Sequence, residues 1–121
     1  MVGGGIGMNN SRDLNSVINN YIVEVKQLLG NDFLRAYVYG SYARGEYNDA
    51  NESDIDIAIF TNRSANEFYC LIEQISEATF EYNVKHNIIL SPVFQNENDF
   101  NRMLNVLPYY QSIQREGIAV G

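Results

Sequence analysis

The chain has 121 residues, 45% of them hydrophobic, which suits a single domain that buries roughly two thirds of its unfolded surface. Its formal net charge of −7 argues against sequence-independent binding to nucleic-acid polymers, because such binding needs a basic surface. A single cysteine, Cys70, excludes an internal disulfide, and no segment resembles a secretion signal or a membrane span. We therefore expect a cytoplasmic protein.

The first predicted element is an amphipathic helix. Residues 1–10 begin with a glycine-rich stretch and are expected to be disordered. From Ser11 to Leu29 apolar residues recur with the spacing of a helix, and Gly30 is placed to end it. The apolar positions are Leu14, Val17, Ile18, Tyr21, Ile22, Val25, Leu28 and Leu29.

The most informative stretch follows, in residues 38–60, VYGSYARGEYNDANESDIDIAIF. A strand over Phe33–Tyr39 leads to a Gly-Ser turn, and a second strand over Asp54–Phe60 follows a polar loop. The two-residue period of a strand places Asp54 and Asp56 on one face. Their backbones are then roughly 6.5 Å apart, so both carboxylates can bind one hard cation such as Mg²⁺.

The Gly-Ser turn supplies a complementary anion site. A strand that ends at Gly40 and opens a short helix presents free backbone N–H groups to a phosphate. Ser41 adds a hydroxyl, and Arg44 lies one turn further along to donate charge-assisted hydrogen bonds. A Gly-Ser turn alone is usually only a turn, but its combination with paired aspartates predicts a metal-dependent nucleotide site.

The rest of the chain predicts alternating helices and strands, and so an α+β domain with a small mixed sheet. Pro92 interrupts the third strand, which indicates a sheet edge or a bulge. The remaining elements are a helix from Ser64, where Ser64 and Glu67 form a capping box, to Tyr82; a strand Ile88–Phe94; a short helix capped by Asn96; a helix from Pro108 to Gly117; and a short apolar tail Ile118–Val120.

The segment GSYARGEYNDANESDIDIAIF resembles the signature of the DNA polymerase β-like nucleotidyltransferases, and of their minimal, antitoxin-like bacterial members in particular. The resemblance implies a polymerase β-like fold over residues 11–121. It also implies that Gly40 and Ser41 bind the phosphates of a nucleoside triphosphate such as ATP, and that Arg44 contacts either these phosphates or the incoming acceptor. Asp54 and Asp56 would be the catalytic residues and the ligands of Mg²⁺.

The chain departs from the family pattern in two places. Twelve residues separate Ser41 from Asp54, which makes the acid-rich loop longer than is common in the family. The family also places a third carboxylate on a following strand, whereas residues 82–96 contain no Asp or Glu. A two-metal site therefore lacks its third ligand, and His86 is a weak alternative as a base.

The resemblance further implies a reaction and a partner. A hydroxyl attacks the α-phosphate of a nucleotide with loss of pyrophosphate, and the expected transfer is AMP from ATP. Minimal members of this kind are often antitoxins that add AMP to a tyrosine of a helical HEPN-type toxin. Two alternatives stay open: a catalytically degenerate binding module that regulates a partner by contact, and transfer to a small molecule such as an aminoglycoside.

Overall fold

The computed structural model describes residues 3–46, 54–62 and 69–121. The helices of this part are α1 (Gly3–Leu29), α2 (Gly40–Ala43), α3 (Tyr69–His86), α4 (Glu97–Met103) and α5 (Pro108–Glu116). The strands are β1 (Phe33–Tyr39), β2 (Ile55–Thr61), β3 (Leu90–Asn96) and β4 (Ile118–Val120), and a short 3-10 turn, Gly30–Asp32, joins α1 to β1.

Within the described ranges the four strands form one mixed sheet in the order β3-β2-β1-β4. Strand β1 runs antiparallel to both β2 and β4, whereas β2 and β3 are parallel. Pro92, which has no N–H to donate, lies in β3 at an edge of the sheet, as its sequence context predicts. The α+β class and the mixed sheet are therefore confirmed.

One face of the sheet packs against α1 and α3 to form the main core. Ile55, Ile57 and Ile59 of β2 are completely buried there, as the alternation in DIDIAIF predicts. Tyr21 of α1 is also completely buried, and its hydroxyl lies 2.6 Å from Oγ1 of Thr79 in α3. This polar contact connects the two helices above the sheet.

The opposite face of the sheet is covered as well, by α4 and α5. Ala58 and Phe60 of β2 pack there with Phe100 of α4 and Ile113 of α5. The face that carries Asp56 is thus apolar along most of β2 and becomes accessible only where the strand begins. The candidate site lies at this end of the sheet.

Several element bounds differ from the sequence prediction. Helix α1 begins at Gly3 rather than at Ser11, and α3 continues to His86, so this histidine ends a helix instead of entering a strand. The division of the chain into a terminal segment and one domain remains a prediction. The capping box of Ser64 and Glu67 lies outside the described residues.

The predicted apolar tail is a strand. Residues 118–120 form β4, which pairs with Ala36, Tyr37 and Val38 of β1. Three residues are too few to show a strand period, so only the available edge of β1 makes this segment a strand. No described helix has both the length and the apolar character that a bilayer crossing requires.

Candidate active site

The centre of the candidate site is the contact between Gly40 and Asp56. Tyr39, the last residue of β1, is the register partner of Asp56 in β2, so the turn after β1 lies beside the aspartate. Gly40 has a φ of 72°, and a β-carbon placed on it would stand 2.5 Å from Oδ2 of Asp56. Glycine is required here both by the backbone conformation and by the space that the carboxylate occupies.

The two aspartates lie together at the start of β2, as predicted. Asp54 is exposed and Asp56 is half-buried. Burial raises the pKa of Asp56, the nearby Asp54 carboxylate raises it further, and Arg44 partly offsets both effects. Two carboxylates that repel each other in this way are stabilised when a cation binds between them.

A third oxygen reaches this pair from β3. Ser91 is the register partner of Asp56, and its hydroxyl donates a hydrogen bond of 3.1 Å to Oδ2 of Asp54. In the sequence, Pro92 beside it marks an interruption of the strand, whereas nothing was inferred for Ser91 itself. The signal that was available is a polar side chain at the start of an otherwise apolar strand.

The predicted phosphate residues form the short helix α2 and the turn after it. Gly40 and half-buried Ser41 open α2, and the backbone N–H of Arg44 donates to the carbonyl of Gly40 over 3.1 Å. The structure therefore brings Gly40, Ser41, Asp54 and Asp56 to one end of the sheet.

Arg44 is already bound by two carboxylates. Its Nε lies 3.1 Å from Oε1 of Glu46, and its Nη1 lies 3.0 Å from Oε1 of Glu116 at the end of α5. These hydrogen bonds raise the pKa of Arg44, the bond to Glu46 most strongly. Sequence reasoning missed Glu116, because it lies 72 residues away along the chain and no local pattern marks it.

The other candidates are Glu97, the acid that directly follows β3, and His86, the alternative base. Both are held elsewhere. Glu97 opens α4 and makes a bidentate pair with Arg35, with both N–O distances at 2.7 Å. His86 ends α3, where its ring centroid lies 5.9 Å from that of Tyr82. Among the described residues, no group of three or more His, Cys, Asp or Glu side chains is placed to hold a metal ion.

The chemistry of the donor set nevertheless fits Mg²⁺. The carboxylates of Asp54 and Asp56 are hard oxygen donors, which Mg²⁺ prefers to nitrogen or sulfur. Mg²⁺ usually keeps several water molecules or phosphate oxygens as ligands, so two protein carboxylates suffice to hold it.

Comparison with known proteins agrees with this geometry. The model of the family described as "Polymerase beta, Nucleotidyltransferase" matches residues 20–108, which include the turn and both aspartates. Two proteins of Methanocaldococcus jannaschii, each named a putative protein adenylyltransferase, are similar in sequence. One is 30% identical over 79 residues, 64% of this chain and 74% of the relative. The other is 23% identical over 88 residues, 73% of this chain but only 58% of the relative.

Solved structures show the same fold at low sequence identity. A putative nucleotidyltransferase from Sulfolobus solfataricus superposes with a TM-score of 0.52 at 17% identity, covering 93% of this chain and 83% of that one. The crystal structure of a toxin-antitoxin with AMP-PNP gives a TM-score of 0.50 at 17% identity, covering 84% of this chain and 70% of that one. Together with the family match, these comparisons confirm the resemblance that the turn and the aspartates indicate. The chain belongs to the polymerase beta family of nucleotidyltransferases.

Proposed function

We propose that this protein is a Mg²⁺-dependent adenylyltransferase that transfers AMP from ATP to a hydroxyl group of a partner protein. The observation that carries the proposal is the packing of Gly40 against Asp56, with Asp54 beside it. This packing places an anion-binding turn and a cation-binding pair next to each other, as a metal-bound triphosphate requires.

The proposed reaction forms a bond between the acceptor oxygen and the α-phosphorus of ATP. The bond from that phosphorus to the oxygen that bridges to the β-phosphorus breaks, pyrophosphate leaves, and the proton of the acceptor hydroxyl passes to solvent. Asp54 and Asp56 would hold Mg²⁺, whose charge stabilises the phosphate oxygens during phosphoryl transfer. Catalysis in such reactions comes mainly from positioning and electrostatics.

The proposed phosphate contacts come from the turn. Gly40 and Ser41 would supply backbone N–H groups and a hydroxyl, and Arg44 would supply a guanidinium. Glu46 binds Nε of Arg44 and Glu116 binds Nη1, so a phosphate can reach the guanidinium through its remaining N–H groups or by replacing one of these carboxylates.

The acceptor that we propose is a tyrosine of a helical HEPN-type toxin, with this protein as its antitoxin. Two relatives carry the name of protein adenylyltransferases, which favours a protein as the acceptor. The toxin-antitoxin structure with AMP-PNP joins the same fold to an ATP analogue and to a toxin system. The exposed thiol of Cys70 suits the reducing cytoplasm, where we place the protein.

The experiment that tests the proposal is calorimetric titration with ATP, with and without Mg²⁺. The wild type should bind ATP only with Mg²⁺, and the double variant Asp54→Asn with Asp56→Asn should lose that binding because it lacks both anionic ligands. Radiolabelled ATP then tests whether AMP is transferred to a candidate toxin. Transfer by the double variant at the wild-type rate would contradict the assignment of the two aspartates.

A second candidate is a binding module that neutralises its partner by contact alone. The observation that favours it is that β3 supplies Ser91, and no acidic residue, to the site, while Glu97, which directly follows β3, pairs with Arg35. Partner neutralisation that survives in the double Asn variant would support this alternative over the enzyme.

A further inference from the structure

Ser91 connects the two aspartates across the β2-β3 pair. It stands opposite Asp56 in the register, and its hydroxyl donates to Oδ2 of Asp54 over 3.1 Å. Because β2 and β3 are parallel, the starts of both strands lie at the same end of the sheet. One hydroxyl thus contacts the first aspartate while it faces the second.

This contact has a direct effect on how Asp54 can bind a cation. A serine hydroxyl has one proton to donate, and here that proton is directed at Oδ2, which leaves Oδ1 of Asp54 available. The side chain of Asp54 is exposed and would otherwise turn freely in solvent. The hydrogen bond from Ser91 selects one orientation of the carboxylate beside Asp56.

We propose that Ser91 is the positioning residue of the cation site, and that its side chain lies where a third acidic ligand could bind the same cation. The inference rests on the proposed function, since it requires Asp54 and Asp56 to hold a cation. Hydrogen-bonding partners that orient the ligands of a metal site typically change its affinity 10- to about 100-fold when they are removed. The two carboxylates therefore bind the cation strongly only while Ser91 holds Asp54.

The test measures Mn²⁺ binding directly, through the electron paramagnetic resonance signal of free Mn²⁺, and needs no substrate or partner. Ser91→Ala should weaken Mn²⁺ binding about tenfold. Ser91→Thr keeps the hydroxyl and should restore the wild-type affinity. Ser91→Asp places a third carboxylate opposite Asp56 and should bind Mn²⁺ more tightly than the wild type.

Two control variants separate this inference from its alternatives. Ser76→Asp adds the same charge on the exposed face of α3 and should leave Mn²⁺ binding unchanged. Asp56→Asn should abolish binding if the aspartates are the site. Thermal unfolding of each variant, followed by circular dichroism, shows whether the fold is intact.

The outcomes distinguish the two proposals. The role of Ser91 is overturned if Ser91→Ala binds Mn²⁺ with wild-type affinity, or if Ser91→Asp binds it no more tightly than Ser76→Asp. In either case, loss of binding in Asp56→Asn still supports the cation site. Failure of the wild type to bind Mn²⁺, or unchanged binding in Asp56→Asn, overturns both. Weak binding in Ser91→Ala with rescue in Ser91→Thr supports the inference, because a merely structural defect would not depend on the hydroxyl.

Discussion

Gly40 packs directly against Asp56, so closely that a β-carbon on the glycine would stand 2.5 Å from Oδ2 of the carboxylate. The contact follows from the register of β1 and β2, in which Tyr39 is opposite Asp56. The turn that we propose for phosphate and the proposed cation ligand Asp56 are therefore in direct contact, and a change in either residue should displace the other.

The first prediction concerns Gly40→Ala. The substitution should cost about 1–2 kcal/mol of stability, because alanine is strained at a positive φ. It should also abolish Mg²⁺-dependent ATP binding, because the new methyl group forces the Asp56 carboxylate to move. Calorimetric titration with ATP and thermal unfolding measure the two effects.

Gly30→Ala is the matched control for this prediction. Gly30 also has a positive φ, of 60°, but a β-carbon there would contact nothing within 4 Å. It should lose a similar amount of stability and bind ATP as the wild type does. Normal ATP binding by Gly40→Ala would show that the packing of these two residues is unimportant for the site.

A second prediction is that Asp56→Asn stabilises the protein while it removes the cation site. Burial and the neighbouring Asp54 both raise the pKa of Asp56, and Arg44 offsets part of this effect, so the charged form is less favourable in the folded protein than in the unfolded chain. The neutral amide should therefore raise the melting temperature in the absence of divalent cations.

The control for this prediction is Glu73→Gln, which removes one negative charge from an exposed position of α3. Its melting temperature should change much less than that of Asp56→Asn. An equal rise in the melting temperature of both variants would mean that the cause is the lower overall negative charge. It would not then be the burial of Asp56 and its repulsion by Asp54.

A third prediction concerns the competition for Arg44. Glu116 occupies Nη1 of this arginine at 3.0 Å, so Glu116→Gln should free that nitrogen, although Glu46 still binds Nε, and should strengthen ATP binding. Arg44→Ala should weaken ATP binding. Both residues are near the surface, where ion pairs contribute little to stability, so the free energy of unfolding should change little.

The affinities for ATP, measured at low and at high salt, check this prediction. The gain from Glu116→Gln should shrink at high salt, because exposed charges are screened. Weaker ATP binding in Glu116→Gln would reverse the interpretation and make Glu116 a residue that holds Arg44 in position.

A fourth prediction concerns the buried pair of Tyr21 and Thr79. The Thr79 hydroxyl donates to the carbonyl of Ile75 at 2.7 Å, so the Tyr21 hydroxyl is the donor in the 2.6 Å contact between them. Tyr21→Phe leaves a buried oxygen without its donor and should cost about 1–3 kcal/mol. The double variant with Thr79→Val should recover part of that loss, because both polar partners are then gone.

The same pair predicts a pH dependence. Burial raises the pKa of Tyr21 to about 12 from its ordinary value of 10.0. Between these two pKa values the unfolded chain releases the phenol proton more readily than the folded chain does. The contribution of Tyr21 to stability is therefore fully present below pH 10 and declines as the pH rises toward 12. Tyr21→Phe lacks this contribution.

Urea unfolding at a series of alkaline pH values measures this effect. The difference in the free energy of unfolding between the wild type and Tyr21→Phe should become smaller above pH 10. Tyr82 and Glu24 lie near Tyr21 and are present in both proteins, so their effect cancels in the comparison. A constant difference across the range would show that Tyr21 ionises as easily when folded as when unfolded.

Much of the fold is set by local patterns that the sequence displays. The alternation in DIDIAIF defines a strand because consecutive side chains point to opposite faces, and the buried isoleucines agree. Asn96 accepts a hydrogen bond from the N–H of Asp99, Pro108 opens α5, and Gly117 follows its end, as their capping preferences predict. These features depend on neighbours within a few residues.

The sequence also identified the principal residues of the candidate site. A glycine-serine turn is suited to bind a phosphate, and an Asp-x-Asp strand is suited to bind its metal ion. Because the phosphate and the metal ion bind together, the order of the two elements along the chain was sufficient to predict that they meet. The end of the sheet shared by Gly40 and Asp56 agrees with this prediction.

Tertiary structure alone decided which distant residues complete the site. Ser91 reaches Asp54 from 37 residues away because β2 and β3 pair in one register, and Glu116 reaches Arg44 because α5 packs beside α2. Likewise, Ile118 belongs to a strand only because β1 has an edge to pair with. Register and packing depend on the burial of whole faces, which no local pattern of residues contains.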